Sequence, residues 1–370
     1  MPTVTATAPR PPDTDVVCLG EAMVAFRPSR PGRLADVPSF ERGVGGAEAN
    51  VACALAAAGH RARWIGRVGA DGFGDHVVAA LAAYGVDVSA VQRDPRRPTG
   101  VYFRTAGERA VSTAADGQPF AEVVYHRTGS AASAMSPELI ARETAWSGRV
   151  LHLTGITPAL SAGCLALVRG LTAAGPGRPL VSFDVNYRVG LWRDRSPALL
   201  AGLARRCDIV FVGEDEAEAA WGLRGGAAIR AALPEPDILV VKQGAGGATA
   251  YVRGGPGRTG DASADRVVSA PALTVDVVAP VGAGDAFAAG FLSAGLRGLD
   301  VRTRLRHGHL MAAAALTTDA DLARPPERAH ADRLAALDAG AWGRLRLGPG
   351  WTGHPPYDGV DENTPEEPAP

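Results

Sequence analysis

The chain has 370 residues, of which 46% are hydrophobic. This length is enough for two to three domains, or for one large α/β domain with an accessory piece. Its 38 Lys and Arg residues nearly balance its 39 Asp and Glu residues, and a net charge of −1 provides no broad attraction to nucleic acid or to an anionic membrane, so neither is expected as a partner.

Short apolar runs alternate with Ala-rich helical segments along most of the chain. The predicted strands are residues 15–19, 63–68, 151–155, 180–184, 209–212 and 238–241. The predicted helices are residues 47–58, 75–84, 164–174 and 198–206. Buried strands that alternate with helices are typical of a mainly parallel sheet with helices on both faces, so the predicted fold class is α/β.

Two stretches interrupt this alternation. Residues 22–44 and 99–127 contain strand-like pieces with few helix formers, and they are predicted to form one small sheet at the edge of the main one. Residues 1–14 are predicted to be a disordered arm without a signal-peptide pattern, residues 15–339 the folded domain, and residues 340–370 a Pro/Gly-rich tail. No apolar run approaches the ~18 residues of a membrane span.

Cysteine, lysine and histidine positions exclude several kinds of site. The four cysteines have no CxxC or zinc-like spacing, and we interpret them as reduced thiols of a cytoplasmic protein. Lys242 is the only lysine and follows Val241, whereas a P-loop needs a Gly-Lys-Ser/Thr sequence. No histidine spacing typical of a metal site occurs, and none of the Gly-rich segments 43–50, 240–247 and 277–285 fits GxGxxG, which disfavours a dinucleotide site.

The strongest candidate for chemistry is the segment 277–285, in which an apolar strand meets a Gly-rich turn and then an apolar helix. Gly282, Ala283 and Gly284 would point consecutive backbone N–H groups at a phosphate or a developing anion. Asp285 at the helix start would be a general base that faces this anion hole, or it would only cap the helix. The segment alone leaves both alternatives open.

Two further Gly-rich segments, 43–50 and 240–247, are weaker candidates. Paired glycines let a substrate approach the backbone closely, and an asparagine one turn into a helix can donate or accept a hydrogen bond. The alternatives are an ordinary helix entry in the first segment and a plain turn in the second. The residues concerned are Gly45, Gly46 and Asn50 in the first segment and Lys242, Gly244 and Gly247 in the second.

These segments, in this order, resemble the PfkB (ribokinase-like) family of carbohydrate kinases over about residues 16–326. The GAGD signature at 282–285 is followed by Ala-Phe-Ala-Ala-Gly-Phe, and a GGAEAN element and a KxGxxG-like loop are also present. The segments similar to the 2-keto-3-deoxygluconate kinases of this family are 99–104, 125–133 and 183–192. The resemblance implies a three-layer α/β/α domain with a mostly parallel central sheet, whose small second sheet is a lid over the sugar.

The resemblance also implies an activity: transfer of a phosphoryl group from ATP, with Mg²⁺, to a hydroxyl of a sugar or sugar acid. Asp285 matches the family's general base, and Gly282, Ala283 and Gly284 match its anion hole. The expected substrate contacts are Gly45, Gly46, Asn50, Tyr102, Tyr125, Arg127 and Arg188, and the expected ATP contacts are Lys242, Gly244, Gly247 and Asn186. The two arginines fit the carboxylate of 2-keto-3-deoxygluconate, because guanidinium groups pair with carboxylates through two hydrogen bonds.

Two positions depart from the family's pattern. Ala279 stands where relatives have an Asp that helps to bind a monovalent cation, which leaves K⁺ activation open. Glu216 matches the Glu of the NxxE motif that holds Mg²⁺ through water, but Gly213 replaces the Asn of that motif. Glu214 or Asp215 would compensate for this loss, or both are solvated acids at a helix start.

Other functions are compatible with the same framework. Fructose, ribose, another ketose or a nucleoside would be the acceptor of a related kinase, and a catalytically impaired relative would bind sugar or nucleotide as a sensor. The intact Asp285 argues against the sensor. The resemblance further implies a homodimer through the lid, because an exposed strand edge can pair with its symmetry mate.

Overall fold

The strands and helices of the computed structural model follow the predicted alternation. The structure describes residues 13–30, 32–105, 122–254, 265–279, 281–320 and 322–353. The strands are β1 (Thr14–Leu19), β2 (Met23–Pro28), β3 (Phe40–Gly45), β4 (Ala62–Ile65), β5 (Arg67–Gly69), β6 (Gln92–Asp94), β7 (Val101–Arg104), β8 (Val123–His126), β9 (Gly148–Thr154), β10 (Leu180–Asp184), β11 (Ile209–Gly213), β12 (Ile238–Lys242), β13 (Ala248–Val252), β14 (Arg266–Ala270), β15 (Thr274–Val275) and β16 (Arg346–Leu347). The helices are α1 (Ala47–Ala57), α2 (Gly72–Ala83), α3 (Arg142–Ala145), α4 (Thr157–Leu160), α5 (Ala162–Leu171), α6 (Val189–Trp192), α7 (Ala198–Ala204), α8 (Glu214–Trp221), α9 (Gly226–Ala232), α10 (Ala283–Leu296), α11 (Val301–Leu316), α12 (Arg328–Ala335) and α13 (Ala339–Arg344).

Eight strands form the central sheet, in the order β14-β13-β12-β11-β10-β9-β1-β4. All neighbours from β12 to β4 pair in parallel, while β13 and β14 are antiparallel additions at one edge. Because parallel strands run in the same direction, the carboxyl ends of β1, β10, β11 and β12 lie along one side of the sheet. Residues that follow these strands are therefore brought together there, which is where ligands bind in open α/β sheets.

Successive side chains of each strand enter two different cores. Val16 and Cys18 pack with residues of α1, α2, α10 and α11, whereas Val17 and Leu19 pack with residues of α5, α7, α8 and α9. The sheet is therefore the middle one of three layers, and the predicted α/β class is confirmed. Burial on both faces explains why these strands are apolar throughout and do not alternate between apolar and polar residues.

A second sheet, in the order β3-β2-β7-β8, is formed by the described parts of the two segments predicted to interrupt the alternation; residues 106–121 of the second segment lie outside the described residues. On one face Tyr102 stacks on Tyr125 with ring centroids 5.5 Å apart, and on the other Phe26 stacks on Phe103 at 4.9 Å. We call this four-stranded sheet the lid. Strand β8 is one edge of it and exposes Val124 and Tyr125. The homodimer expected through the lid stays a prediction.

Residues 63–68 form two strands and not the single one predicted. Strand β4 belongs to the central sheet, but β5 leaves it to pair with β6. The chain bends at Gly66, where a Cβ would overlap the ring of Trp64. Glycine is required there because the backbone passes close to the Trp64 ring and to the carbonyl oxygen of Gly20, which leaves no room for a side chain.

The domain boundary predicted at residue 339 is wrong. Helix α13 and strand β16 lie beyond it, and β16 pairs with β15. Trp342 is fully buried in a third core with Leu310 and Leu347, and its indole N–H donates to the carbonyl oxygen of Pro271 at 3.0 Å. A high Gly content suggested a tail, but a few large apolar side chains between the glycines complete the packing of α11 and α12.

Part of the predicted termini lies outside the described residues: 1–12 of the arm and 354–370 of the tail. Thr14, predicted as the last residue of the arm, already belongs to β1 and is buried. In the described part of the chain, no helix combines the length and the apolar composition needed to cross a membrane.

Candidate active site

Asp285 is the third residue of α10 and is not its cap. The helix is preceded by Gly282, whose φ of 70° lies in the left-handed region that favours glycine, and no side chain caps this end. Asp285 instead accepts hydrogen bonds from two asparagine side chains: Asn50 Nδ2 at 2.8 Å and Asn186 Nδ2 at 3.4 Å. The carboxylate is thus oriented by side-chain amides, and the capping alternative is not supported.

The backbone at the start of α10 forms a candidate anion site beside this carboxylate. The first intrahelical bond runs from the Ala286 N–H to the Gly282 oxygen at 2.9 Å. The N–H groups of Ala283, Gly284 and Asp285 precede it, so they have no intrahelical acceptor. Together with the positive end of the helix dipole, they favour a negatively charged group at this position.

Two cavities meet at this turn. The first, which we call the lid cavity, has a volume of about 650 Å³ and lies under the lid; Asp285 lines it. The second, which we call the loop cleft, has a volume of about 1040 Å³ and lies between the loop 243–247 and helices α10 and α11; Ala283 and Gly284 line it. Consecutive residues of one turn therefore face two separate binding spaces, with a carboxylate on one side and backbone amides on the other.

The lid cavity contains a buried ion pair. Arg127 Nη2 donates to Glu21 Oε2, and Ser130 Oγ donates to Glu21 Oε1 at 3.1 Å. The Glu21 side chain is 1% exposed and that of Arg127 10% exposed. The Arg127 guanidinium also lies over the ring of Tyr125, with Cζ 5.4 Å from the centroid. The pairing fixes Arg127 at the cavity wall and offsets its charge.

A second guanidinium, that of Arg188, lines the same cavity, and Arg188 is half-buried. Its backbone is fixed at the start of α6, where its carbonyl oxygen accepts from the Leu191 N–H at 2.9 Å and the Trp192 N–H at 3.2 Å. On the opposite wall, Gly46 leaves the space that a Cβ would fill against the carbonyl oxygen of Glu21. The arrangement suits a small polar ligand that carries a negative charge.

The loop cleft combines an ammonium group with an apolar end. Lys242 Nζ donates to both carboxylate oxygens of Asp184, at 2.8 and 3.1 Å. At the other end, Phe287 packs edge-to-face against His309, with ring centroids 5.1 Å apart. Burial lowers the pKa of His309 to about 4, so its ring is neutral at physiological pH, and Nε2 donates to the Ala270 oxygen at 3.1 Å. A ligand with a flat apolar part and an anionic part fits this cleft.

Two carboxylates lie where β11 meets α8, between the two cavities. Glu216 Oε2 accepts from the Gly213 N–H at 2.9 Å, and Glu216 lines the lid cavity. Asp215 lines both spaces, and its Oδ1 occupies the volume that a side chain on residue 213 would need. Hard oxygen ligands of this kind suit Mg²⁺. No three Asp, Glu, His or Cys side chains of the described residues cluster tightly enough to hold a metal without a ligand's help.

Glu48, in the same Gly-rich helix entry as Gly46, points away from both cavities into the core. Its Oε1 accepts from the hydroxyls of Thr154 at 2.7 Å and Thr157 at 2.8 Å, while Oε2 has no hydrogen-bond partner. Complete burial raises the pKa of Glu48 to about 7, although the two threonine hydrogen bonds lower it. This carboxylate belongs to the support of α1 and has no contact with a candidate ligand space.

Comparison with known proteins identifies the family. The model of the family described as "pfkB family carbohydrate kinase" matches residues 13–327. The chain belongs to this family. The 2-dehydro-3-deoxygluconokinase of Bacillus subtilis is 33% identical over 335 residues, 87% of this chain and 95% of the relative. The enzyme of the same name from Thermoproteus tenax is 34% identical over 295 residues, 78% of this chain and 84% of the relative.

A solved structure supports the same assignment. The PfkB protein from Polaromonas sp. JS666 superimposes with a TM-score of 0.71 and 33% sequence identity, covering 86% of this chain and 99% of that one. The fold is therefore ribokinase-like, with a large mostly parallel sheet and a smaller lid sheet. As a pfkB carbohydrate kinase, the protein is a phosphotransferase that acts on a sugar hydroxyl.

Most residues predicted for this pfkB kinase surround the two spaces. Those that line the lid cavity are Gly46, Asn50, Tyr102, Tyr125, Arg127, Arg188, Glu216 and Asp285. Those that line the loop cleft are Lys242, Gly244, Gly247, Ala283 and Gly284. Gly45 lies against the Tyr102 hydroxyl, where a Cβ would not fit, and Asn186 lies behind Asp285. Their expected contacts with substrate and ATP stay predictions.

Three acidic residues at the two spaces were not among the expected substrate and ATP contacts. Glu21 pairs with Arg127 and Asp184 pairs with Lys242, while Asp215, which the sequence analysis gave only as one alternative for the missing asparagine, lies between the two spaces. Each stands at, or within two residues of, the carboxyl end of a parallel strand: β1, β10 or β11. An acidic residue directly after a buried apolar run was therefore the signal that could have identified them.

Proposed function

We propose that the protein transfers the γ-phosphoryl group of ATP to a hydroxyl of a sugar acid, with 2-dehydro-3-deoxygluconate (2-keto-3-deoxygluconate) as its substrate. The observation that carries the proposal is the position of Asp285 in the lid cavity, one residue from amides that face the loop cleft. The sugar acid would occupy the lid cavity and ATP the loop cleft. The two curated relatives described above carry the name of this activity.

In the proposed reaction Asp285 accepts the proton of the attacking hydroxyl. Asn50 donates to one oxygen of Asp285 and Asn186 to the other, and these two hydrogen bonds hold the carboxylate in one orientation. The hydroxyl oxygen forms a bond to the γ-phosphorus, and the bond between that phosphorus and the bridging oxygen of ADP breaks. The amides at the start of α10 stabilise the charge on the transferred group, and positioning with electrostatic support is what phosphoryl transfer mainly requires.

Glu216 and Asp215 would hold Mg²⁺ together with the phosphates of ATP. Mg²⁺ is commonly bound by one or two carboxylates plus substrate phosphates, and it neutralises phosphate charge when it is bound. Asp215 fills the space left by the missing side chain at Gly213, which supports its assignment as the substitute for the absent asparagine. Because Glu216 also caps α8, its carboxylate is already oriented before a ligand arrives.

The substrate carboxylate would be recognised by Arg188 together with Arg127. Arg127 lines the same cavity, but its charge is offset by Glu21, so it contributes hydrogen bonds and a fixed wall more than net charge. The stacked rings of Tyr102 and Tyr125 form the roof under the lid. A guanidinium that pairs with a carboxylate through two parallel hydrogen bonds gives both affinity and orientation.

One observation favours a second candidate, a kinase for a neutral ketose such as fructose. The Glu21–Arg127 pair removes one of the two arginine charges on which an acid would depend, and Glu21 oxygens can accept hydrogen bonds from sugar hydroxyls. ADP release with ATP and Mg²⁺ across 2-dehydro-3-deoxygluconate, 2-dehydro-3-deoxygalactonate, fructose and ribose separates the candidates.

In that panel kcat/KM is expected to be at least about tenfold higher for the acids, the scale of one hydrogen bond to a charged group. The Asp285→Asn variant in the same assay measures ADP release that does not depend on the proposed base. A kcat/KM that is highest for fructose would overturn the sugar-acid assignment and support the second candidate.

A further inference from the structure

A third cavity, which we call the arginine cavity, lies beside the two-stranded sheet of β5 and β6. Its volume is about 700 Å³, and its walls include Arg67, Asp94, Arg96 and Arg97. No residue of its lining also lines the lid cavity or the loop cleft. Three guanidinium groups in one cavity favour an anionic ligand, because guanidinium groups bind carboxylates and phosphates through pairs of hydrogen bonds.

Asp94 is the one carboxylate among the described residues of this lining, and protein donors occupy both of its oxygens. Oδ2 accepts from Arg67 Nε at 3.1 Å and Nη2 at 3.0 Å, and Arg97 Nε lies 3.9 Å from the same oxygen. Oδ1 accepts from the backbone N–H groups of Arg96 at 2.9 Å and Arg97 at 3.1 Å. The Asp94 side chain is only 5% exposed. Asp94 therefore fixes the position of the arginines.

Arg67 is mostly buried but keeps donors for a ligand. Its side chain is 14% exposed, and besides the two bonds to Asp94 it donates from Nη1 to Gln92 Oε1 at 2.9 Å. A guanidinium has five N–H groups, so with the acceptors of the described residues counted, one N–H remains available on each terminal nitrogen. Because protein contacts already fix this side chain, little rotamer freedom is lost when a ligand binds to it.

Arg96 and Arg97 add two exposed guanidinium groups to the same cavity. They lie between Pro95 and Pro98, whose rings fix the backbone φ on either side of the pair. Arg97 Nη1 donates to the carbonyl oxygen of Gly129 at 3.4 Å. The Arg96 guanidinium has no hydrogen-bond or ion-pair partner within the part of the chain that the structure describes. A rigid backbone thus presents an uncompensated positive charge to the cavity.

The charges of the cavity match one class of ligand. Three guanidinium groups and one carboxylate leave a net charge of +2. A phosphate monoester carries close to two negative charges at neutral pH, because its second pKa is about 6, whereas a single carboxylate carries one. Pro98 and the 40% exposed side chain of Leu139 form an apolar part of the wall. This part can contact the carbon atoms of an ester, but a free phosphate ion has none to offer.

We propose that the arginine cavity is a binding site for a small phosphate monoester. Arg67, Arg96 and Arg97 hold the phosphate group, and the carbon chain of the ester lies against Pro98 and Leu139. The site is separate from the lid cavity and the loop cleft, and it does not depend on the proposed sugar-acid kinase activity.

Calorimetric titration with glycerol 3-phosphate tests the site. The wild type is expected to bind it with a Kd of about 1 mM or lower. Inorganic phosphate should bind at least about threefold more weakly, because it makes no apolar contact, and glycerol should give no heat of binding. Arg96→Gln should weaken the binding of glycerol 3-phosphate at least about tenfold through loss of a charge-assisted hydrogen bond. Arg169→Gln, at an exposed arginine of α5, removes the same charge and should leave the Kd unchanged.

Two further measurements make the result specific. Because Arg96 is exposed, Arg96→Gln should unfold at the same urea concentration as the wild type. Arg188→Leu, which removes a guanidinium of the lid cavity, should leave the affinity for glycerol 3-phosphate unchanged.

Three results would overturn the site: no binding to the wild type at about 10 mM ester, equal effects of Arg96→Gln and Arg169→Gln, or a loss with Arg188→Leu and not with Arg96→Gln. Inorganic phosphate that binds as tightly as the ester would overturn the assignment of the ligand class. Failure of the sugar-acid assignment is measured by turnover and would leave these titrations unaffected.

Discussion

The orientation of the Asp285 carboxylate depends on two neighbouring side chains more than on its position in the helix. Asn50 comes from the start of α1 and Asn186 from the turn after β10, and both amides donate to its carboxylate. Two donors that converge on one carboxylate fix its orientation at the boundary of the cavity. The three side chains therefore form one unit, in which Asp285 is the proposed general base.

We expect Asp285→Asn to reduce turnover at least about 10²-fold while sugar-acid binding stays within about threefold of the wild type. The amide cannot accept the hydroxyl proton, yet it has almost the same shape. Steady-state ADP release gives kcat, and calorimetry gives the affinity for the sugar acid. Asp237→Asn, a charge-matched change at a residue that lines neither cavity, should behave as the wild type. A kcat near normal for Asp285→Asn would assign this residue to structure alone.

Glu48 gives a prediction about stability and pH. Its folded-state pKa of about 7 is raised from the ordinary 4.5, so the folded protein holds this proton more tightly than the unfolded chain does. The contribution of Glu48 to stability is therefore fully present below pH 4.5 and is lost as the pH rises from 4.5 through 7. Glu48→Gln mimics the protonated form and should raise the free energy of unfolding by about 2–3 kcal/mol at pH 8.

Urea unfolding at pH 5 and pH 8 measures this effect. The gain from Glu48→Gln should be much smaller at pH 5, where the folded wild type is already protonated at this site. Glu143→Gln, at an exposed residue of α3, controls for the loss of one negative charge. A gain of the same size at both pH values would show that the charge of Glu48 has no part in it.

Among the elements of the fold, the lid is the one expected to respond to the substrate. Strand β8 pairs with only one neighbour and carries both Tyr125, which lines the lid cavity, and the exposed Val124. A ligand that fills the cavity would add contacts to this edge and slow its opening, and a closed lid excludes water that would otherwise accept the phosphoryl group.

Hydrogen exchange with and without 2-dehydro-3-deoxygluconate is the measurement. Amides of β7 and β8 are expected to gain protection with the sugar acid, and those of residues 243–247 with ADP alone. Because the two ligands are expected in different spaces, each serves as the control for the other. Protection by the sugar acid that is confined to residues 243–247 would contradict the assignment of the lid.

Helix α13 and strand β16 stabilise the fold and support one wall of the loop cleft. Trp342 is fully buried, and Arg306 lies over its ring with Cζ 4.7 Å from the centroid. Strand β16 holds β15, whose residues Thr274 and Val275 line the cleft. Trp342→Ala should cost about 3–5 kcal/mol of unfolding free energy, the usual range for an aromatic removed from a core.

Urea unfolding of Trp342→Ala, with Trp351→Ala as the matched control, tests this role of the C-terminal elements. Trp351 is only partly buried, so its loss should cost clearly less. ADP affinity should also fall in the Trp342 variant, because β15 loses its support. Equal and small costs for the two variants would mean that α13 does not stabilise the domain.

For the molecule as a whole, local patterns in the sequence predicted the layers and a Gly-rich turn at the start of a helix, α10. Apolar runs of strand length, separated by helices, predicted the sheet because burial on both faces requires them. The GAGD turn was identifiable from its glycines and the apolar helix that follows them, but the strand predicted before them is wrong: β15 ends at Val275, and Val277 and Val278 are exposed and not in a strand. The predicted elements differ from the observed ones mainly at their ends, as for α2, which begins at Gly72 because Asp71 caps it.

What the sequence did not predict depends on pairing between distant residues. Glu21 and Arg127 are 106 positions apart, and Lys242 and Asp184 are 58 apart, so no local pattern indicates that the arginine is compensated or the lysine anchored. The C-terminal boundary was wrong for a related reason. Trp342 is buried only because α11 and α12 supply the rest of its core. Such interactions become visible only when the tertiary fold brings the elements together.

The central claim is that a sugar acid is recognised in the lid cavity through Arg188 and phosphorylated at Asp285. The most direct test is the ratio of kcat/KM for 2-dehydro-3-deoxygluconate to that for fructose, in the wild type and in Arg188→Leu. Arg193→Leu, at an exposed arginine just after α6, is the matched control and should leave the ratio unchanged. We expect Arg188→Leu to lower the ratio at least about tenfold, through loss of the carboxylate pair. Equal losses on both substrates, or a wild-type ratio below one, would contradict the account.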